Sequence, residues 1–380
     1  GWRDDHVHLL STFASRCSYD LSDAASVEHL LEQLSSASPG GNGWIRAWGY
    51  EPSALAERRH PTSDDLDRVT RNVPTVVHDR SGHVAVVNTA AAKALGIQRH
   101  QDGILVERQD ILIRTPRLAV DDLKIAAQEV FSEWRCNGIV AVTDATHTND
   151  RNALDLLGEI GEMYDAPRIT AMVGADRLNG LRFGEIRRGV EVGHAKVMPD
   201  VEGMTDLKVL VRSAHDAGFP AAIHAMDIDT LEEALAALAT SGAVTSGIDR
   251  LEHCSLALPE QLDRIRELNL AVCTQPSFLT HRLPKYLSEL SSAEHRWLWP
   301  LASLVERGIE VTLSSDSPVV PANPKQWIEA SINRPLGSEE AVTQESAKYM
   351  AAVSTITPGL PAEMLVIAND FGYRPVIGRD

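Results

Sequence analysis

The chain has 380 residues, 43% of them hydrophobic and 23% charged, with a net charge of −17. That length allows one large core with smaller appendages, and no apolar run approaches a membrane span. The acidic balance, without any basic cluster, argues against nucleic acid or an anionic membrane surface as partner. Four cysteines (Cys17, Cys136, Cys254 and Cys273) are scattered without C-x-x-C spacing. Neither a disulfide framework nor a cysteine zinc site is therefore expected, and a reducing, cytoplasmic setting is. No signal peptide is visible. The first residue is Gly1, followed at once by a strand rich in polar groups, so an N-terminal segment is expected to be missing from the sequence.

In chain order, the first predicted element is a strand at Arg3–Leu9, which carries "DDHVH". Trp44–Tyr50 and Pro74–Asp79 are further strand candidates inside a long, turn-rich stretch, Ser38–Leu118, expected to be an insertion. Strands at Ile139–Ala145 and Arg168–Gly174 follow. From there the chain repeats one phrase, a buried strand and then a helix. "HAKVMPD" (His194–Asp200) precedes a helix with Leu207, Leu210, Val211 and Ala214 on one face and Gly218 as its stop. "PAAIHAM" (Pro220–Met226) precedes one with Leu231, Ala234, Leu235 and Leu238, ended by Gly242. "DRLEHCS" (Asp249–Ser255) precedes a helix opened by Pro259, with Leu262, Ile265 and Leu268 inside. "LAVCTQPS" (Leu270–Ser277) and "IEVTLSSDSP" (Ile309–Pro318) complete the series.

Alternating strands and helices with buried strands indicate a parallel sheet. Ten strand candidates are two more than a barrel needs, and the surplus falls in the insertion. The expected architecture is an α/β fold, a (β/α)8 TIM barrel over residues 1–350 interrupted by the insertion at about 38–118. The tail, residues 351–380, has strand-like runs and no helix, and is expected to be part of a small β-sandwich domain.

The polar residues fall at matching places in this repeat. Lys196, His224 and His253 are 28 and 29 residues apart, and Asp316 follows His253 by 63. Each lies near the end of its strand, and in a (β/α)8 barrel those ends converge on one face. His6 and His8, two apart on a strand, aim at the same side. The expected site thus gathers His6, His8, Lys196, His224, His253 and Asp316 around a divalent transition metal, zinc before others. A protonated lysine has no lone pair for a metal. As a neutral amine it can take up carbon dioxide, and the resulting carbamate would bridge two metals. Metal binding brings a water pKa to about 7, and Asp316 would take that proton and pass it to the leaving group.

"DDHVH", "HAKVMPD", "AIHAMD", "RLEHC" and "SSDSP" resemble the metal-dependent amidohydrolase superfamily. "EPSALAERRHPTSDDLD", "PTVVHDRSGHVAVVNTAAAKALGI" and "TQPSFL" are similar to its YtcJ-like branch, the amidohydrolase-3 type. The likeness runs in order from Arg3 to about Asn333. It implies a barrel with a β-sandwich built from both chain ends, hydrolysis of an amide or similar C–N bond of a small molecule, and a homodimer. It further implies that His6 and His8 are first-strand ligands, that Lys196 is the lysine carboxylated in many members, that His224 and His253 are ligands of strands 5 and 6, and that Asp316 is the catalytic aspartate of strand 8. Two positions depart from the pattern. Ser81 stands where an aspartate usually precedes Gly82 and His83, and Met226-Asp227-Ile228 replaces Ile-Gly-Asp. The loops after "MPDVEGMT" and around "VSTITPGLPAE" are shorter than the pattern implies.

Other readings stay open on sequence alone. Asp316 in "SSDSP" could cap a turn, and Lys196 could be a surface lysine or an unmodified one. Asp4 or Asp5 could orient a histidine or lie on the surface. His83 and His194 are candidates for substrate contact, although packing explains His194 equally well and His83 could instead organise the insertion. His147 reads as a loop residue near the mouth. Trp44, Trp48, Trp297 and Trp299 read as core. A mononuclear metal-dependent deaminase and a non-catalytic barrel scaffold are the competing functions. The scaffold predicts a missing ligand, and none is missing.

Overall fold

The computed structural model describes residues 1–97, 102–106, 108–112, 114–163, 166–199, 206–242, 244–353, 363–367 and 373–377. It divides into two compact units, one of residues 1–8 with 131–380 and the other of residues 9–130. The loops around "MPDVEGMT" and "VSTITPGLPAE" lie mostly outside the described residues.

The first unit is the barrel. Its strands are β1 (Trp2–Val7), β2 (Ile139–Asp144), β3 (Arg168–Gly174), β4 (Val190–Val197), β5 (Ala221–Ala225), β6 (Arg250–His253), β7 (Ala271–Thr274) and β8 (Val311–Leu313). They pair in that order, every neighbour parallel. The ring closes where the His8 N–H donates to the Ser317 carbonyl at 2.8 Å and the Asp316 N–H to the His6 carbonyl at 2.8 Å. Closure therefore joins the chain start to the segment just past β8. The first-strand histidines and Asp316 meet for that reason. A short strand, Ile186–Arg187, adds antiparallel to β4, and Glu363–Ile367 pairs antiparallel with Tyr373–Ile377.

Register explains one departure from simple alternation. Asp4 pairs with Val142 and Val7 with Asp144, so β1 spends three steps where β2 spends two. A one-residue bulge of this kind re-aims side chains. Asp5 and His6 both reach residues of β6, which is not a neighbour of β1. Both therefore point into the barrel, where strict alternation would have put only one of them.

The helices follow from their caps and apolar stripes. In Ile228–Thr240 the Asp227 carboxylate accepts from the Thr230 N–H at 2.8 Å, a capping box that satisfies the first turn. The substitution at Asp227 has this local use. Leu231, Ala234, Leu235, Ala237 and Leu238 form the buried stripe. Leu235→Ala should lower stability by about 2–5 kcal/mol, the range for emptying a buried leucine site, and a urea titration of the variant reads it as a lower midpoint. Pro259 opens the helix Pro259–Glu267, where its missing N–H costs nothing. Between β7 and β8, the stretch around His281–Pro300 folds as short helices over a cluster of Phe278, Leu279, Tyr286, Leu298 and Trp299.

The second unit has its own five-stranded sheet, ordered Tyr19–Asp20, Ile45–Tyr50, Thr75–Asp79, Val84–Val87 and Ile104–Val106. The first three strands run parallel and the remaining pairings are antiparallel. The stretch expected as an insertion, 38–118, lies within this unit, which also takes in Leu9–Arg16 and Val27–Ser35. Trp44 belongs to one of its apolar clusters. All four cysteines are free, and no helix of the described residues is long and apolar enough to cross a membrane.

Candidate metal centre

Four imidazoles form a continuous row at the C-terminal ends of the barrel strands. Ring centroids are 5.3 Å apart for His8 and His6, 4.7 Å for His6 and His253, and 4.5 Å for His253 and His224. Asp316 closes the row, its Oδ1 3.1 Å from His8 Nε2 and 3.5 Å from His6 Nε2. The ligand atoms of His6, His8 and Asp316 all lie within 4.8 Å of one another.

Lys196 comes up from β4 with only 3% of its surface exposed, and its Nζ has no hydrogen-bond partner among the described residues. Its neighbour across β3 is Gly174, where an added Cβ would lie 2.2 Å from the His147 carbonyl. Burial pushes the Lys196 ammonium below its ordinary pKa, against the pull of Glu252, with Arg250 adding to the depression. A surface lysine is thus ruled out. A buried amine without a partner costs free energy unless something else occupies that place.

The imidazoles are set for ligation by what their far nitrogens touch. His6 Nδ1 donates to Glu252 Oε2. Burial raises the Glu252 carboxyl, but Arg250, Lys196 and His6 outweigh it and hold it well below the carboxylate range. Burial, then Lys196, lowers His6, so the ring is neutral with its proton on Nδ1. His253 Nδ1 faces Gln275 Oε1 at 2.8 Å, while Gln275 Nε2 donates to Ser314 Oγ at 2.8 Å. Burial, with His6 beside it, pushes His253 down to about 3. His8 Nδ1 lies 2.9 Å from Thr146 Oγ1. In His6 and His253 the Nε2 lone pair is left free to ligate.

Backbone strain gathers at the same place. His253, Cys254 and Asp316 have φ of 72°, 46° and 62°, the left-handed region that costs a non-glycine residue about 1–2 kcal/mol. Asp316 is held there by its neighbours. Its N–H bonds the His6 carbonyl, and the preceding Ser315 gives its N–H and Oγ to Asp4 at 2.9 and 2.6 Å. Burial pushes the Asp4 carboxyl up to about 8, with the Ser315 bonds opposing it. The turn-cap reading of Asp316 is thereby replaced by a carboxylate facing two imidazoles. Burial raises its pKa, but His8, His6 and His253 outweigh that and keep it ionised.

His194 sits two residues before Lys196 on β4. Its Nε2 lies 3.0 Å from the Ile248 carbonyl and its ring packs edge-on against Phe183. Burial, with Arg250, pushes it down to about 4. These contacts are those of a packed residue one layer below the mouth. His83 is exposed in the turn between Asp79 and Val84 of the second unit, its N–H bonded to Ser81 Oγ at 3.3 Å. Ser81 itself closes that turn by donating to Asp79 Oδ2 at 2.6 Å.

The roles of Glu252, Gln275 and Arg250 are not legible in the sequence, although all three lie inside its motifs, "RLEHC" and "TQPSFL". Glu252 directly precedes His253 on β6, Arg250 opens that strand three residues before it, and Gln275 follows the last residue of β7. His147 is half-buried, and burial together with Lys196 and His8 pushes it down to about 4. It is a loop residue, in the turn after β2, with Lys196 and His8 near it.

Donors of this kind, imidazole and carboxylate with a buried lysine nearby, fit a divalent metal. Comparison with known proteins decides the family: residues 1–359 match the model of the amidohydrolase family. The chain belongs to the amidohydrolase family. As such it is a hydrolase that depends on a divalent metal. This amidohydrolase is 21% identical to the YtcJ protein of Bacillus subtilis over 90% of its own length and 74% of that relative's. It is 23% identical to the N-substituted formamide deformylase of Arthrobacter pascens, covering 97% and 83% of the two chains. In fold it is similar to an uncharacterized metal-dependent hydrolase from Pyrococcus horikoshii, with a TM-score of 0.72 and 22% identity over 92% of this chain and 79% of that one.

Proposed function

We propose that this amidohydrolase cleaves the amide or another C–N bond of a small molecule, with two zinc ions bridged by a carbamate on Lys196 and Asp316 as the proton carrier. The observation that carries this reading is Lys196 Nζ, buried near the His6 and His253 imidazoles and without a hydrogen-bond partner among the described residues. Its depressed pKa favours the neutral amine, the form that combines with carbon dioxide. A carbamate on Lys196, with His6, His8, His224, His253 and Asp316, would hold the ions. Ions bound there would supply Lewis acidity and lower the pKa of a water to about 7.

The chain's own residues do the rest. Asp316, ionised and facing the first-strand histidines, accepts the proton of the attacking water as the C–O bond forms. It then returns that proton to the nitrogen as the C–N bond breaks. A relative named for N-substituted formamides supports a small N-acyl compound as the substrate class.

Metal content of protein purified without chelator, paired with intact mass in bicarbonate, tests the reading. The expected result is two zinc ions per chain and a carbon-dioxide-sized increment. Stripping the metal with a chelator should abolish hydrolysis of N-acyl substrates, and zinc should restore it. One ion without the increment would replace this reading with a mononuclear deaminase, and no ion after reconstitution would overturn both.

A further inference from the structure

A chain of buried charges runs across the barrel beneath the metal centre. On one side Asp5 of β1 is fixed by hydroxyls from its two neighbours, Thr143 Oγ1 of β2 at 2.7 Å and Thr312 Oγ1 of β8 at 2.8 Å. Arg250, on β6 at the far side, donates from Nη1 to Asp5 Oδ2 at 3.0 Å and from Nη2 to the Asp5 carbonyl at 2.9 Å. Its Nε donates to Glu252 Oε1 at 2.6 Å. Glu252 Oε2 receives the Nδ1 proton of His6. Each oxygen of Glu252 thus has one donor, and the plane of the carboxylate is set by both. Lys196 gives Glu252 no hydrogen bond, which leaves Arg250 as the group that orients Glu252.

We propose that Arg250 is a positioning residue of this centre: clamped between Asp5 and Glu252, it fixes the carboxylate that keeps His6 in the tautomer presenting Nε2 to the metal. Arginine suits the task because its rigid fork can serve two carboxylates at once, whereas a lysine is a point charge on a flexible stem. The bulge in β1 is what brings Asp5 and His6 to the same interior, so that both ends of the chain of charges start from one strand. Outer partners of metal-ligating histidines fix tautomer and ring orientation, and losing one typically lowers metal affinity by about 10–100-fold.

The inference rests on reading the site as a metal centre, so its test includes a measurement made without metal. Long-range proton–nitrogen spectra of chelator-stripped protein labelled in its imidazoles report the His6 tautomer, assigned by the signals lost in His6→Gln. The wild type is expected to carry the proton on Nδ1. In the charge-balanced double variant Asp5→Asn/Arg250→Gln, His6 should become a tautomer mixture, and zinc affinity by competition with a chromophoric chelator should fall 10–100-fold. Arg250→Lys should recover part of both. A folded double variant with His6 still protonated on Nδ1 and zinc affinity within twofold of wild type overturns the proposal and leaves Arg250 a packing residue. Should the double variant not fold, Asp5→Asn alone decides: a zinc affinity at least threefold weaker supports the clamp, and an unchanged one overturns it. A wild type with the expected tautomer that takes no metal would instead sink the function proposed above.

Discussion

Asp316→Asn is expected to lower kcat on an N-acyl substrate by roughly 10^2–10^4-fold, the usual worth of a positioned acid–base group. The substitution is chosen for what it leaves alone. Asparagine has the same shape, and it tolerates the left-handed backbone that Asp316 adopts at φ 62°. Its amide oxygen can still lie toward His8 and His6, so the closing bond between the residue-316 N–H and the His6 carbonyl should persist. What it cannot do is accept a proton from water and return it to nitrogen. Thermal melting close to wild type, retained metal and a collapsed kcat would form the expected set. A variant with wild-type kcat would remove Asp316 from the chemistry.

Lys196→Met separates two effects that usually travel together. In the metal-free protein the lysine is a buried amine with no hydrogen-bond partner among the described residues, and exchange of such a group for an apolar one of similar length is commonly neutral or stabilising. The apoprotein should therefore melt at or above the wild-type temperature. The same change removes the group proposed to carry the carbamate, so bound metal should fall from two ions per chain to one or none. Hydrolysis should then be lost by about 10^3-fold or more, on the scale of several kcal/mol that metal Lewis acidity contributes. Calorimetry of the stripped protein with elemental analysis of the loaded one reads both. If the variant is strongly destabilised without metal, Lys196 is a structural charge, and the bridged centre loses its main support.

Much of this site is legible because the barrel imposes a period on it. A histidine, lysine or aspartate recurring near the ends of several strands, at His6, Lys196, His224, His253 and Asp316, needs only the knowledge that the ends converge. The apolar stripes of the helices were equally readable, since Leu231, Ala234, Leu235 and Leu238 repeat at helical spacing and all are buried. Glu252, Arg250 and Asp5 were not legible as a unit. Spacing in sequence says nothing about contacts across an interior, and Asp5 turns inward only because β1 gains one residue against β2. His194 shows the converse. It shares the face of Lys196, and two residues along a strand, roughly 6.6 Å, is enough to move it from the mouth to a packed layer beneath.

By itself the sequence determined the strand–helix alternation, the closed parallel sheet it leads to, and the set of donors that a divalent metal would use. Those follow from local periodicity and from side-chain chemistry, which each residue carries wherever it is placed. The tertiary structure alone decided which far nitrogen of His6, His8 and His253 is engaged, that Lys196 is buried without a hydrogen-bond partner among the described residues, and that four strands join at Asp5 and Arg250 beneath His6. Protonation and orientation are set by neighbours brought together from distant parts of the chain, through burial, charge and hydrogen bonds that exist only once the barrel has closed.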